Sequence, residues 1–387
     1  MIDDVLIVGA GPAGCVAAVL LARAGVRVRL VDRAVFPRDK LCGDTVNPGA
    51  LARLRHLDLA APVDQRGLQV DGMRVTGPRG VAIDGRYPDG VHGRALTRRD
   101  LDWAMLQQAI AAGAHFDPAT TVRRPIVDDA NGSPSIGGVV VAVSGRDRLI
   151  RARATIAADG RRSALAFALG LARHPPRPRR WAIGAYYENA AGLSSLGEMH
   201  IRLGRYIGVA PIPGGLANVC LVKPSMAGDQ AFGDPAALLA AELARDPLLR
   251  DRFAAARLVQ PPVVLGPLAV EAAGVPPSGL LLAGDAAGFI DPMTGDGLRF
   301  AVHGAELAAA AALESLSHGW NGVHERLARA RHREFAAKWR FNRTLRALVA
   351  SPRAVDLANL GARIVPSLVR RLIATAGDCG VRAGAGG

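Results

Sequence analysis

Three glycines spaced two and three residues apart, in Gly9-Ala10-Gly11-Pro12-Ala13-Gly14, are the part of this sequence whose pattern most directly implies chemistry. Gly9 permits a tight strand-to-helix turn, Gly11 lets backbone come against a pyrophosphate, and Gly14 lets a helix pack closely on a strand. A helix that begins there turns unpaired N–H groups and about half a positive charge toward the phosphates, with Ala13 in its first turn. The carboxylate that such a site needs for a ribose stands at Asp32, followed by Arg33. An unliganded turn would also use these glycines. The carboxylate in register with them is what predicts dinucleotide binding.

The elements that must hold these residues follow from the pattern around them. Residues 5–8 form a short apolar run, the stretch to Gly25 reads as a helix, and residues 28–31 form a second strand closing on Asp32, so the opening predicts a βαβ unit. Asp159-Gly160 follows an apolar strand predicted at 154–158, and Gly284-Asp285 follows one predicted at 279–283. A carboxylate beside glycine at a strand's carboxyl end can bond ligand hydroxyls, although each pair taken singly also reads as an ordinary turn. Asn47-Pro48 is a helix start, and Thr97 caps a helix to about Ala112 whose predicted buried stripe is Leu101, Met105, Leu106, Ala109 and Ile110. Residues 68–83 predict a hairpin, and residues 122–143 a meander turning at 131–134. The proline-broken stretch 173–180 marks a crossing into short strands between 181 and 222, followed by helical structure at 235–256, a long helix at 297–316 and further helix to 372.

Half of the 387 residues are hydrophobic, which supplies a large core, excludes a disordered chain and predicts two intimately joined domains. Asp3 and Asp4 stand where a signal peptide would be basic, and no apolar run reaches the length of a membrane span, so a cytoplasmic protein is expected. The four cysteines form no CxxC and no cluster with zinc spacing; reduced thiols and no metal site are expected. The net charge is +14, but between residues 321 and 375 twelve basic residues face three acidic ones, so +9 of it lies there. An arginine-rich bias with charge concentrated at one end points away from nucleic acid. It points toward an acidic partner, either an anionic membrane or an acidic carrier protein, with the protein peripheral to the membrane in the first case.

Taken in order, GAGPAG with Asp32, Arg98-x-x-Leu101-Asp102, Ala158-Asp159-Gly160, and GDAAG at 284–288 with TGDG at 294–297 resemble the flavoprotein hydroxylase and geranylgeranyl reductase superfamily over residues 4 to about 320. The resemblance implies an α/β fold: a Rossmann-like FAD-binding domain (1–67, 94–175 and 276–320), an interleaved antiparallel-sheet substrate domain (68–93 and 176–275), and a helical C-terminal segment with its tail (321–387). It implies FAD with its pyrophosphate on the Gly9–Gly14 loop and its ribose on Asp32. Arg98 and Asp159 would lie near the pyrophosphate and ribityl chain, Gly284 and Asp285 at the ribityl hydroxyls, and Gly295 and Gly297 against the isoalloxazine. The loop Phe36-Pro37-Arg38-Asp39-Lys40-Leu41-Cys42-Gly43-Asp44 is similar to the Phe-Pro-Arg-x-Lys-x-Cys-Gly segment of the reductase branch, which would bring Cys42 and Gly43 beside the flavin. There Cys42 is either a proton donor or a small hydrophobe holding the loop.

The reductases' Tyr-x-Trp-x-Phe-Pro lipid motif corresponds to Tyr206-Ile207-Gly208-Val209-Ala210-Pro211, which keeps Tyr and Pro and lacks both large aromatics. No lysine lies between Lys40 and Lys223 and no two tryptophans are near each other, which disfavours a halogenase. Only one GxGxxG is present, so electrons are expected from transiently docked NAD(P)H or another protein. Tyr186, Tyr187, His200 and Tyr206 fall in the predicted substrate sheet, as substrate contacts or as packing. The expected activity is that of an FAD-dependent oxidoreductase, foremost a monooxygenase hydroxylating or epoxidising a small apolar or aromatic molecule, alternatively a reductase of carbon–carbon double bonds, and last a flavin-bearing binding protein without turnover.

Overall fold

The computed structural model describes residues 2–78, 80–130, 133–176, 179–225, 232–351, 353–354, 361 and 365–379. The opening βαβ unit forms as its pattern requires. Strand Asp3–Val8 pairs in parallel with Val28–Val31, and helix Pro12–Arg23 joins them with Pro12 in its first turn. The Gly9 amide bonds the Val31 carbonyl at 2.8 Å, closing the turn at φ +100°, a conformation that favours glycine.

Asp3–Val8 lies inside a seven-stranded sheet ordered His115–Asp117, Val28–Val31, Asp3–Val8, Arg146–Ala157, Ser133–Val143 and Thr121–Ala130, with Leu280–Leu282 beside Arg146–Ala157. The expected short strand at 154–158 is the end of a longer one. Its first half pairs antiparallel with Ser133–Val143, and its second half pairs parallel with Asp3–Val8 and Leu280–Leu282. One strand thus carries the meander and also delivers Asp159 to the carboxyl edge; the charged residues of its exposed half (Arg146, Asp147, Arg148 and Arg151) hide this continuity from a search for apolar runs. The expected turn residues Asn131 and Gly132 lie outside the described residues.

The second sheet has eight strands. Gly72–Thr76 and Ala82–Arg86 form the predicted hairpin, which joins Leu196–Arg202, Arg205–Ile212, Leu216–Pro224 and Arg180–Glu188. It is antiparallel except where Leu196–Arg202 runs parallel to Gly72–Thr76, a pairing that the intervening chain permits. Leu68–Val70 belongs to a separate three-stranded sheet with Thr45–Val46 and Gly93–Ala95.

Both predicted caps form: Asn47 accepts from the Ala50 amide at 2.8 Å and Thr97 from the Asp100 amide at 3.1 Å. In helix Arg98–Ala111 the stripe Leu101, Met105, Leu106 and Ala109 is buried, while Ile110 is 45% exposed because it lies one residue past the packing face. The helices Pro235–Arg245 and Arg250–Phe253 lie on the second sheet, and Gly297–His318 packs along Pro12–Arg23. Val323–Ala350 and Pro366–Ala376 complete the C-terminal segment. Pro366 starts the last helix, as its missing N–H allows. Of the apolar stripe at 357–372, Leu357, Leu360, Ile364 and the side chain of Leu368 lie outside the described residues, and Leu372 is 41% exposed. No helix of the described residues is long and apolar enough to cross a membrane.

Candidate active site

The two large sheets and the C-terminal helices enclose one continuous cavity of about 840 Å³. At one end it is lined by the turn residues Gly9, Gly11 and Ala13, by Asp32 and Arg33, and by Arg98. Asp159, Gly284 and Asp285 line it from the ends of two further strands, Gly295 and Gly297 from the turn before the long helix, and Cys42 and Gly43 from the loop after Asp32. Residues from seven separated stretches meet here: four follow parallel strands that end on the same edge, and a loop, a helix start and the turn before the long helix bring the other three. Gly14 does not line the cavity. It stands behind it, where an added Cβ would lie 1.8 Å from the Gly9 carbonyl oxygen, so its role is the close packing its spacing implied.

Asp32 is already oriented: its two oxygens accept from the Ala10 and Ala34 amides, both at 2.8 Å, which fixes the turn and leaves lone pairs toward the cavity. Arg98 bonds Asp102 twice, at 2.7 and 2.9 Å, and Arg38 adds a third contact to the same carboxylate at 3.0 Å. Burial alone lowers the basicity of the Arg98 guanidinium, and Asp102 with the neighbouring Cys42 thiol more than restores it. Burial raises the pKa of Asp285, opposed by the positive charges of Lys40, Arg98 and Arg161. Burial likewise raises Asp159, opposed by its bonds to Ser163 and the Ala164 amide. Lys40 is wetted by the cavity but ringed by protein, and this desolvation, with repulsion from Arg98, lowers its pKa.

Cys42 faces the cavity while its carbonyl accepts from Asn218 at 3.0 Å and from the Cys220 thiol at 3.3 Å. Asp44, at φ +52°, bonds the Tyr186 hydroxyl at 2.6 Å and Asn218 at 2.8 Å. The second sheet therefore clamps the Cys42 turn from below.

The expected substrate contacts divide. Tyr206 lines the cavity and donates to Asp291 at 2.7 Å. Tyr186 serves Asp44 and does not line the cavity; Tyr187 packs edge-on against Phe253. His200, 1% exposed, is spent between Thr76 at 2.9 Å and Glu198 at 2.8 Å, so it supports the sheet and does not face the cavity. Both sit on alternating strands, where a one-residue shift of register exchanges the two faces. Lys40, Arg38 and Asp44 were missed as site residues though they lie within the loop that carries Cys42. Asn218 carried no sequence signal, since its partner Asp44 is 174 residues away.

Residues 3–201 match the family described as FAD binding domain. The chain belongs to that family. It is 31% identical over 322 residues to the menaquinone reductase of Mycolicibacterium smegmatis, spanning 79% of this chain and 75% of that one. It is 28% identical to the digeranylgeranylglycerophospholipid reductase of Methanosarcina mazei, over 82% and 76% of the two chains. Among solved structures, the myxobacterial chondrochloren halogenase shares the fold with a TM-score of 0.82 at 20% identity, over 97% of this flavoprotein and 96% of that one. This flavoprotein is thus an FAD-dependent oxidoreductase of the superfamily its motifs resemble, with a mixed α/β fold. Its site also fits the cofactor on the structure's own terms. The Gly9–Ala13 turn is open toward the cavity, and Asp159 Oδ1 is buried without a partner there, as suits a hydroxyl-bearing ligand.

Proposed function

We propose that this flavoprotein saturates carbon–carbon double bonds in a long, apolar, isoprenoid-type substrate, with electrons from transiently docked NAD(P)H. The observation that carries the proposal is the other half of the cavity. Beyond Gly295 it is walled by Met73, Val75 and Ile83 of the hairpin, Met199, Ile201 and Val209 of the second sheet, and Phe341, Leu345, Leu348 and Ile373 of the C-terminal helices. A chamber so deep and apolar selects by desolvation and excludes water from the reacting carbons. Gly208 and Ala210, where the lipid motif would have its aromatics, both line this chamber, so their small size widens it. Both curated relatives are named as reductases of lipids that carry isoprenoid chains.

Bound FAD would supply the hydride chemistry. The chain's own part is to hold the phosphates at the Gly9–Ala13 amides, the ribose at Asp32 and the remaining hydroxyls at Asp159 and Asp285. Lys40 and Arg98 offset negative charge at that end, and the Gly295–Gly297 backbone faces the middle of the cavity. Cys42, which lines the cavity, is the group proposed to give a proton to the carbon adjoining the one that takes the hydride. The oxygenating reaction expected foremost from the sequence needs the same reduced cofactor. Anaerobic mixing of photoreduced enzyme with a geranylgeranyl lipid separates the two. Reduction predicts that the flavin absorbance returns without oxygen and the product gains two hydrogens. Reoxidation only on admitting oxygen, with an oxygenated product, would overturn it.

A further inference from the structure

The helix Val323–Ala350 has two unlike faces. One carries Leu327, Phe335, Lys338, Asn342 and Val349 into the protein and sets Phe341, Leu345 and Leu348 on the cavity wall. On the other, Arg326, Arg329, Arg333, Arg340 and Arg343 are exposed and fall within roughly 100° of the helix circumference at the spacing of an α-helix. Arg326 is paired with Glu314, and Arg329 bonds the Glu325 carbonyl. Arg333, Arg340 and Arg343 have no carboxylate at ion-pair distance among the described residues, and the nearby Glu334 is turned to His303 at 3.8 Å. Like charges held in a row repel unless something negative lies opposite.

The adjoining helix Pro366–Ala376 continues the pattern. Val369, Leu372, Ile373 and Ala376 line the cavity, while Arg370 and Arg371 are exposed. Leu372 lines the cavity and is still 41% exposed, and Val365 just before the helix is 46% exposed, so the apolar chamber reaches solvent beside arginines. Lys338 ties the two helices together through the Thr375 and Ala376 carbonyls at 2.7 and 2.9 Å.

We infer that the arginine face of Val323–Ala350 docks the protein on an anionic lipid bilayer, bringing the cavity mouth at Leu372 to the membrane from which an apolar substrate is drawn. What is drawn in rests on the isoprenoid-reductase reading; the docking does not. A bilayer fits better than a protein because the charge is a straight row about 25 Å long, from 326 to 343, and because the chamber beside it opens through apolar side chains.

The test is cosedimentation of the full-length, FAD-loaded protein with phosphatidylcholine vesicles, with and without phosphatidylglycerol. Binding is expected only with the anionic lipid and should fade as salt rises past physiological strength. The triple variant Arg333→Gln, Arg340→Gln, Arg343→Gln should partition about a hundredfold more weakly, taking about fivefold per exposed charge near an anionic surface, with FAD content unchanged. Reversal to Glu should abolish binding. On a geranylgeranyl lipid dispersed in detergent the variants should turn over like the parent, and on vesicle-borne lipid they should not. Turnover absent in detergent while vesicle binding persists would sink the reductase reading alone. No vesicle binding at low salt, or salt-sensitive binding of an acidic carrier protein in its place, would overturn the docking.

Discussion

The two ends of the cavity are built on different principles. At the nucleotide end the shape is set by backbone: Gly9 is held in its turn by the hydrogen bond its amide donates to the Val31 carbonyl, Gly14 leaves no room even for a methyl group, and Asp32 is locked by two amides. At the apolar end the shape is set by side chains from the hairpin, the second sheet and the C-terminal helices, which meet only in the folded molecule. Backbone shape tolerates almost no substitution. Side-chain shape is free to change with substrate, as long as it stays apolar.

The contrast breaks first at Gly14. A β-branched side chain there would drive its Cβ into the Gly9 carbonyl, and neither partner is a flexible side-chain tip that can swing away. Gly14→Val should therefore yield protein with no bound FAD, or none that folds, read as the ratio of flavin to protein absorbance. A yellow variant with full cofactor would show that the turn is pliable and that the two ends do not differ in kind.

At the apolar end the expected effect is smaller and selective. The nearest atoms to a Cβ on Gly208 are backbone oxygens at 3.9 Å, so a side chain can leave the strand without collision and enter the chamber. The pair Gly208→Trp, Ala210→Phe should keep FAD while lowering kcat/KM for a long branched lipid by about tenfold or more, the scale on which filled hydrophobic pockets discriminate. A shorter isoprenoid should be spared. An equal loss for both lengths would mean that the wall shapes the reaction centre and not the substrate's far end.

This division also explains what the sequence alone made legible. The nucleotide end was readable because each requirement is local: a turn needs glycine, a helix start needs Asn47 or Thr97, and Asp32, Asp159 and Asp285 each end an apolar run. The strand 146–157 was foreshortened because its exposed half opens with a run of charges, Arg146-Asp147-Arg148, which hides a strand from a search for apolar runs. The substrate side was hardly readable. Tyr186, His200 and Tyr206 look alike in sequence, but only Tyr206 reaches the cavity, since face is decided by register against strand partners that lie from 5 to 124 residues away. The arginine excess was visible in the sequence, but its separation from the cavity-lining face of the same helix emerges only once both faces have neighbours.

The smallest predicted effect lies at the seam between the two ends, at Asp44. Burial pushes its carboxyl up to about 7, against the lowering bonds from Tyr186 and Asn218 and the charge of Arg98. The ordinary value is 3.8, so between about pH 4 and pH 7 the native state holds a proton that the unfolded chain has lost. That contribution to stability is complete below pH 4 and is lost as pH rises through 7. Tyr186 and Cys220 beside it are both pushed upward, out of this window, so they add no slope of their own. Asp44→Asn cannot ionise, so it should flatten the fall in Tm that the parent shows from pH 5 to pH 8. It also gives up a charge-assisted bond from Tyr186, so the net difference at pH 8 should be only on the order of 1 kcal/mol. In a chain of this length that is about 1 °C in Tm. Differential scanning of parent and variant at matched pH isolates it from every other titrating group. Parallel curves for the two would mean that Asp44 stays ionised throughout and that the Cys42 turn is held by charge, in the manner of the nucleotide end.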